Sequence, residues 1–444
     1  MKYPRFSDDY IKKSTDILEY AIKNLGAYKT WQACDPGPGH SIDERYAAMP
    51  VITKKEIREN FPQGLVPPDR DVERGIQSGE INFVKTSGSS DAFRVTNIWN
   101  QIWWDASEVA SWRLNKDASR LATGEHPEAI LVNARNVGIV SDDIDLPLEK
   151  RRLSRFLYLN EKTDPTAWTS KLMDRMIEEL GVFKPALLEA NASFLARLCR
   201  YIARNNKKVY QPGLIVFTYE YPSRVHLQQI NRVFKCPAIS SYGSTETGYV
   251  LMQCEKGKWH QNTKSCRLDF QRLKPEHGGP LIGRMLVTTL DNPWYYMLRF
   301  DVGDFARLDA KQKCACGRDG GYIVSDIEGR WTNVTFNTDG RLVTLNQLDK
   351  AVSTLKDIDE YRLEQPAPGD YHLLLVSPRK DRDKLMIEAE KKLRQVYGEK
   401  AHTDVTFEEQ LAPEDSGKYA MAKTLFDRNP IDEYIEIPPV KRLI

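Results

Sequence analysis

Excess charge of one sign is what this sequence most clearly lacks. Its 64 lysines and arginines face 62 aspartates and glutamates, leaving a net charge of +2. Nothing in that balance asks for nucleic acid or an anionic membrane as partner. Long apolar runs are missing too, since no stretch approaches the roughly 18 residues that cross a bilayer. The opening "MKYPRFSDDYIKKSTD" has no continuous apolar segment of the secretory kind, so a cytoplasmic location is expected. Seven cysteines, an odd number, argue against a disulfide framework. There is no internal repeat and no low-complexity tract. What remains is 41% hydrophobic and 28% charged residues, ordinary for a soluble globular protein. At 444 residues the chain is too long for one simple core, and two or three domains are expected. Monomer and homodimer both stay open.

Periodicity orders the chain. Residues 8–25 and the segment "MPVITKKEIRENFP" read as helices, with Gly26 stopping the first and Thr53 capping the second. "EINFVKTSGSS" reads as a strand entering a Gly/Ser loop, and "WNQIWWDASEVASWRLN" as the helix after it. The short apolar runs "AILVNA", "PALLEA", "GLIVFT" and "PAISSYG" alternate with helical segments, which predicts an α/β domain with a largely parallel sheet. From about residue 265 the text becomes strand-rich. After 330 a β-α-β-like alternation is long enough for a small separate domain.

Four polar segments could carry chemistry. Thr86, Ser87, Gly88, Ser89 and Ser90 follow an apolar strand, where backbone N–H groups and hydroxyls can cradle phosphate; a plain surface turn has the same composition. In "ISSYGSTETGYV" Tyr242 offers a flat face for a base and Thr245 a hydroxyl. Glu246 in the same run offers a carboxylate suited to Mg²⁺. Asp304 follows Gly303 at what reads as a hairpin corner, where a carboxylate can take both ribose hydroxyls. Lys418 stands on the Gly-marked "DSGKYAMAKTL". Taken singly, Asp304 and Lys418 equally suit a turn residue and a solvated charge.

In this order, "TSGSS", "YGSTE", "RFDVGD", "EGR" and "SGK" resemble the adenylate-forming ligases: acyl-CoA synthetases, aryl-acid activating enzymes and adenylation domains. "PVITKKEIREN" and the "CACGR" after "RFDVGD" resemble the phenylacetate-CoA ligase branch. The resemblance implies an α/β fold: a large N-terminal domain of several subdomains, residues 1–331, with mostly parallel sheets and a β-rich part. A small mobile α+β lid, residues 332–444, follows. It implies that residues 86–90 surround the β- and γ-phosphates of ATP, that Tyr242 stacks on adenine and that Thr245 contacts phosphate. Ser241, Gly243 and Ser244 belong to the same nucleotide segment. Glu246 would hold Mg²⁺, Asp304 the ribose, and Arg330 the ribose or phosphate. Lys418 would swing in with the lid for the first half-reaction. The implied activity turns a small carboxylic acid, aromatic by preference, into an acyl-adenylate with loss of pyrophosphate. The acyl group then passes to a thiol, coenzyme A, or alternatively to an amine or a carrier protein acting in trans. A non-catalytic binding relative is the third reading.

Two departures bear on that third reading. Where the family has glycine followed by a basic residue, this chain has Asp91, with Arg94 three positions on. A carboxylate about 4 Å from a phosphate charge costs about 4 kcal/mol at an effective dielectric near 20, so Asp91 is expected to turn to solvent with Arg94 as the replacement base. Asn333 stands where the family hinge carries aspartate. Cys254 and His260, then Cys314 and Cys316, form two short pairs that would complete a Cys₃His zinc site of the structural type, as in some phenylacetate-CoA-ligase-like proteins. Four unrelated core residues are the alternative. Cys34, Cys199, Cys236 and Cys266 read as ordinary thiols. On the acyl side, Trp103 or Trp104 could wall an aromatic acid or simply pack a helix, and Asn191 could face the ligand.

Overall fold

A computed structural model describes residues 4–86, 95–414 and 419–436. The chain forms two compact units, one of Met1–Ala122, Ser241–Ile327 and Ile431–Ile444, the other of Thr123–Ser240 and Glu328–Pro430. Among the described residues no helix is long and apolar enough to cross a membrane.

The Thr123–Ser240 part of the second unit is built on the four runs read as strands. Glu128–Leu131, Leu187–Ala190, Leu214–Phe217 and the start of Ala238–Ser244 pair in parallel. The first, second and third of these are almost wholly apolar or buried, as a strand covered on both faces must be. Helices Ser170–Phe183 and Ala192–Arg204 bury Leu172, Met176, Leu180, Phe194, Leu195 and Leu198 into the same core. From Glu328 to Pro430 the unit carries a four-stranded sheet. Glu360–Gln365 and Asp370–Val376 pair antiparallel, His402–Phe407 and Ala422–Thr424 pair in parallel at the two edges, and helix Arg382–Tyr397 adds to the core.

The first unit is β-rich as expected after residue 265. Cys266–Arg272, Ile282–Thr289 and Phe300–Leu308 form an antiparallel run. Gly248–Gln253, Trp259–Gln261 and Ile323–Arg330 form another with the end of Ala238–Ser244. The Ala238–Ser244 strand is paired in parallel through Ser240 and antiparallel from Ser241.

Several local readings change. Gly26 does not stop the first helix: Leu25 caps Asp8–Asn24, and Gly26 opens a 3-10 stretch to Cys34. Trp99 belongs to a strand, Thr96–Trp99, which pairs with Asn82–Lys85, so the tryptophan-rich helix begins only at Gln101. Thr53 does cap Lys54–Asn60, in a capping box with Glu56. Asp304 lies inside the strand Phe300–Leu308 rather than at a hairpin corner. The glycine before it has φ +81°, and its N–H is taken by the Asp301 carboxylate at 2.9 Å, a local bulge that mimics a turn in the sequence.

Candidate active site

The tight turn Thr245–Thr247 joins Ala238–Ser244 to Gly248–Gln253. Thr247 donates its backbone N–H to Ser244 at 3.1 Å, and the hydroxyls of Ser244 and Thr247 meet at 2.9 Å. The backbones pass so closely that a Cβ on Gly243 would stand 2.3 Å from the carbonyl oxygen of Gly248. Gly248 has φ +67°, and a Cβ there would meet the Trp103 ring at 2.8 Å. Both positions need glycine. The helix Gln101–Trp112 is thereby pressed onto the turn. It is fastened by Tyr249 N–H to Ser107 Oγ at 3.4 Å, by Asn262 to the Ser107 carbonyl at 2.9 Å, and by Tyr249 O–H to Glu108 at 2.8 Å.

Tyr242 and Asp304, far apart in sequence, come together: the tyrosine O–H donates to Asp304 Oδ2 at 2.8 Å. Asp304 is buried, so the donor fixes the carboxylate's orientation with a charge-assisted hydrogen bond, a class worth about 1.5–3 kcal/mol. If Asp304 holds the ribose as the resemblance implies, Tyr242→Phe is expected to raise the dissociation constant for ATP about tenfold, measured by calorimetric titration, with Tm nearly unchanged.

Glu246 is buried, 4% exposed. The Lys54 ammonium, from the first turn of Lys54–Asn60, lies 3.3 Å from its Oε1. That oxygen nevertheless accepts no hydrogen bond among the described residues, so the lysine offsets charge without filling the oxygen's bonding capacity. Buried Tyr295 lies within the field of Glu246; burial first, then Tyr28 and Glu246, push its ionisation well above the usual range, and it stays neutral. Ser241 Oγ is a second buried polar atom with no partner among the described residues. A buried carboxylate oxygen and hydroxyl left unsatisfied fit a hard cation and phosphate oxygens.

Thr86 pairs with Val95 just beyond the strands Asn82–Lys85 and Thr96–Trp99. Its Oγ1 accepts the Val95 N–H at 3.1 Å, and its own N–H donates to the Val95 carbonyl at 2.9 Å. The hydroxyl proton is left for another acceptor. Ser87, Gly88, Ser89, Ser90, Asp91, Arg94 and Lys418 lie outside the described residues. Arg330 ends the strand Ile323–Arg330, exposed, in the second unit. Lys54 is not singled out by sequence. The capping box announces the helix, but no spacing rule aims its first residue at a carboxylate far along the chain.

Cys254, His260, Cys314 and Cys316 converge, with all four ligand atoms within 4.8 Å of one another. The Cys254 and Cys314 sulfurs are 3.7 Å apart, and Cys316 Sγ is 3.3 Å from His260 Nε2. Ligands at about 2.3 and 2.0 Å on a tetrahedral ion would be separated by roughly 3.5–3.8 Å, so the set fits zinc. Burial pushes the Cys254 thiol up to about 12 and the His260 imidazole down to about 4. The imidazole is therefore neutral, the form that ligates a metal. For Cys316 burial acts upward, but hydrogen bonds from the backbone and side chain of Arg318 hold the thiol below its ordinary value. Arg318 is itself tied to Glu255 at 3.0 Å, and Glu255 accepts the Lys116 N–H at 3.1 Å beyond the Gln101–Trp112 helix.

Of the acyl-side residues, Trp103 is buried and donates its indole N–H to the Leu290 carbonyl at 3.1 Å, a packing role. Trp104 is half-buried and packs between Trp99 and Tyr249, with ring centroids 4.1 and 5.0 Å away. Asn191 is buried and accepts the Asn133 N–H at 3.0 Å, joining two strand ends.

No family model and no curated protein matches the chain. Solved structures do. A 2-hydroxyisobutyryl-CoA ligase in the postadenylation state superposes with TM-score 0.70 at 15% identity, over 94% of this chain and 89% of that one. The fold is that of the adenylate-forming ligases. The same ligase with 2-HIB-AMP and CoA in the thioesterification state gives TM-score 0.53 at 16% identity, over 90% and 86%. An anthranilate CoA ligase with anthranoyl-AMP gives 0.51 at 12% identity, over 77% and 65%. At such identities the likeness is one of fold, and the site must be argued from its own residues.

Proposed function

We propose that this protein is an ATP-dependent ligase that activates a small carboxylic acid as its acyl-adenylate, releasing pyrophosphate, and passes the acyl group to the thiol of coenzyme A. The observation that carries the reading is the meeting of Tyr242 with Asp304 in the unit where Glu246 is buried with an unsatisfied oxygen. Tyr242 would hold the base and Asp304 the ribose hydroxyls. Thr86, Ser87, Gly88, Ser89 and Ser90 would donate to the outer phosphates, as would Ser241, Ser244 and Thr245 around Gly243. Arg330 would reach the ribose or phosphate, and Lys418, on the lid segment 332–444, the reacting centre.

The chemical difficulty is that a substrate carboxylate must approach an α-phosphorus surrounded by negative oxygens. Glu246 would hold Mg²⁺, which supplies charge neutralisation on the phosphates when bound. Lys54 keeps the buried glutamate from standing as a bare charge, and Lys418 would meet the negative charge that develops as the new P–O bond forms. The half-buried face of Trp99, Trp104 and Tyr249 supports an aromatic acid as substrate. Cys254, His260, Cys314 and Cys316 would hold a structural Zn²⁺ with no open position and no part in the reaction.

ATP–pyrophosphate exchange with Mg²⁺ and a panel of aromatic and small branched acids tests the first step. Exchange that depends on one acid is the expected result, and mass detection of the acyl-CoA would follow on adding coenzyme A. An amide or a loaded carrier protein in its place would move the acceptor assignment. ATP binding without exchange for any acid would mark a binding protein that kept the fold and lost turnover.

A further inference from the structure

Asp304 owes its place to a register shift. Along the paired strands Ile282–Thr289 and Phe300–Leu308, Arg284 stands opposite Phe305 and Leu286 opposite Asp301, so Val302, Gly303 and Asp304 face Met285 alone. Residues bulged in this way lose regular pairing with the facing strand, and their conformation is set by whatever else holds them. Here that is Asp301, whose two oxygens have separate tasks. Oδ1 accepts the Gly303 N–H at 2.9 Å, and Oδ2 accepts from Arg284 at 3.2 Å. Arg284 is buried and fixed in turn: its Nε donates to Gln271 Oε1 at 2.8 Å, and an outer nitrogen donates to Asp432 at 3.0 Å. The Asp432 side chain is 75% exposed and that of Asp301 only 16%, so Asp301 and Gln271 are the partners that hold the guanidinium.

From this we infer that Arg284 and Asp301 are positioning residues for Asp304, fixing the bulge that aims its carboxylate; the inference rests on the reading of Asp304 as the ribose ligand. Gly303, at φ +81°, has the widest backbone freedom of any residue, and the Asp301–Gly303 hydrogen bond removes it. A carboxylate that takes two adjacent hydroxyls must be held to within about 0.5 Å, so a loose glycine just before Asp304 would spoil the fit. The pair also acts through charge. Burial is the largest influence on the Asp301 carboxyl and pushes it above the ordinary range. Arg284 and the Gly303 N–H pull the other way, and the Asp304 charge adds to the upward push. The guanidinium therefore offsets one of two carboxylates set three positions apart around the same bulge. Without it, Asp301 would be a nearly buried charge with no counter-ion. Turning to solvent would relieve that cost, and turning would release Gly303.

Calorimetric titration with ATP and with 2′,3′-dideoxyadenosine triphosphate, which lacks the hydroxyls that Asp304 would take, tests this. Wild type should bind ATP at least about tenfold more tightly than the dideoxy nucleotide. In Arg284→Gln and in Asp301→Ala that ratio should fall at least about fivefold, because the dissociation constant for ATP rises while the other hardly moves. Asp432→Asn touches the guanidinium from its exposed side and should keep the wild-type ratio. Should Arg284→Gln fail to fold, Asp301→Ala decides, since it leaves Arg284 both Gln271 and Asp432. An unchanged ratio, whether both nucleotides bind as before or both weaken alike, overturns the inference. A wild type that binds the two nucleotides equally, or neither, sinks the ribose role of Asp304 instead. The bulge is then decided by hydrogen exchange of the full-length protein. Exchange at Gly303 faster by about tenfold in the variants upholds Arg284 and Asp301 as the residues that hold Asp304 in place, and unchanged exchange overturns it.

Discussion

Glu246→Gln is expected to slow ATP–pyrophosphate exchange by about two to three orders of magnitude and to raise the Mg²⁺ concentration needed for half-maximal rate. The substitution keeps size and removes charge. In the proposed reading two effects add: the cation loses its anionic ligand, and Lys54, 3.3 Å away, loses the partner that made its own charge tolerable. Lys418→Ala offers the contrast. It should lower exchange by a similar factor while leaving the dissociation constant for ATP nearly unchanged, because in the proposed mechanism its contribution belongs to the transition state alone. Glu246→Gln exchanging at the wild-type rate with the same Mg²⁺ dependence would remove Glu246 from the cation site. Equal activity in Lys418→Ala would remove that lysine from the mechanism.

The second large effect is expected at the Cys₃His cluster. Purified protein should carry about one zinc per chain, and Cys314→Ser should lose it and lower Tm by about 10 °C or more. Cys314 is buried, and the four residues hold together the turn after Gly248–Gln253 and the segment after Phe300–Leu308. Those are the strands that follow Tyr242 and carry Asp304. Loss of the metal should therefore also weaken ATP binding, although no ligand of the cluster touches nucleotide in the proposed reading. Metal analysis and thermal denaturation check this together. A metal-free protein with wild-type Tm would return the four residues to the status of core side chains.

The parallel strands are legible in the sequence because a strand buried on both faces must be a short apolar run, and "GLIVFT" or "AILVNA" can hardly be anything else. Tyr242 and Asp304 are legible as a pair only through the ordered set of motifs, since nothing local in either segment points to the other. Four things are not legible. Gly303 reads as a turn because positive φ is the signature of both turns and bulges, and only the ladder partner distinguishes them. Thr96–Trp99 is lost in the adjoining helix because tryptophan and threonine suit an edge pair that only Asn82–Lys85 supplies. Ala422–Thr424 is three residues long and exists because Leu363–Gln365 pair with it. Lys54 matters through a partner far away in sequence, Glu246, and no window of residues contains that information.

Lys54 changes how the opening of the chain must be regarded. Residues up to Asn60, rich in short helices, invite trimming as an appendage when a smaller crystallisable version is wanted. In the proposed reading such a shortened protein would keep the candidate nucleotide motifs and still enclose a carboxylate whose counter-ion had been cut away, so the purine and ribose contacts could survive in a molecule whose phosphate end no longer works.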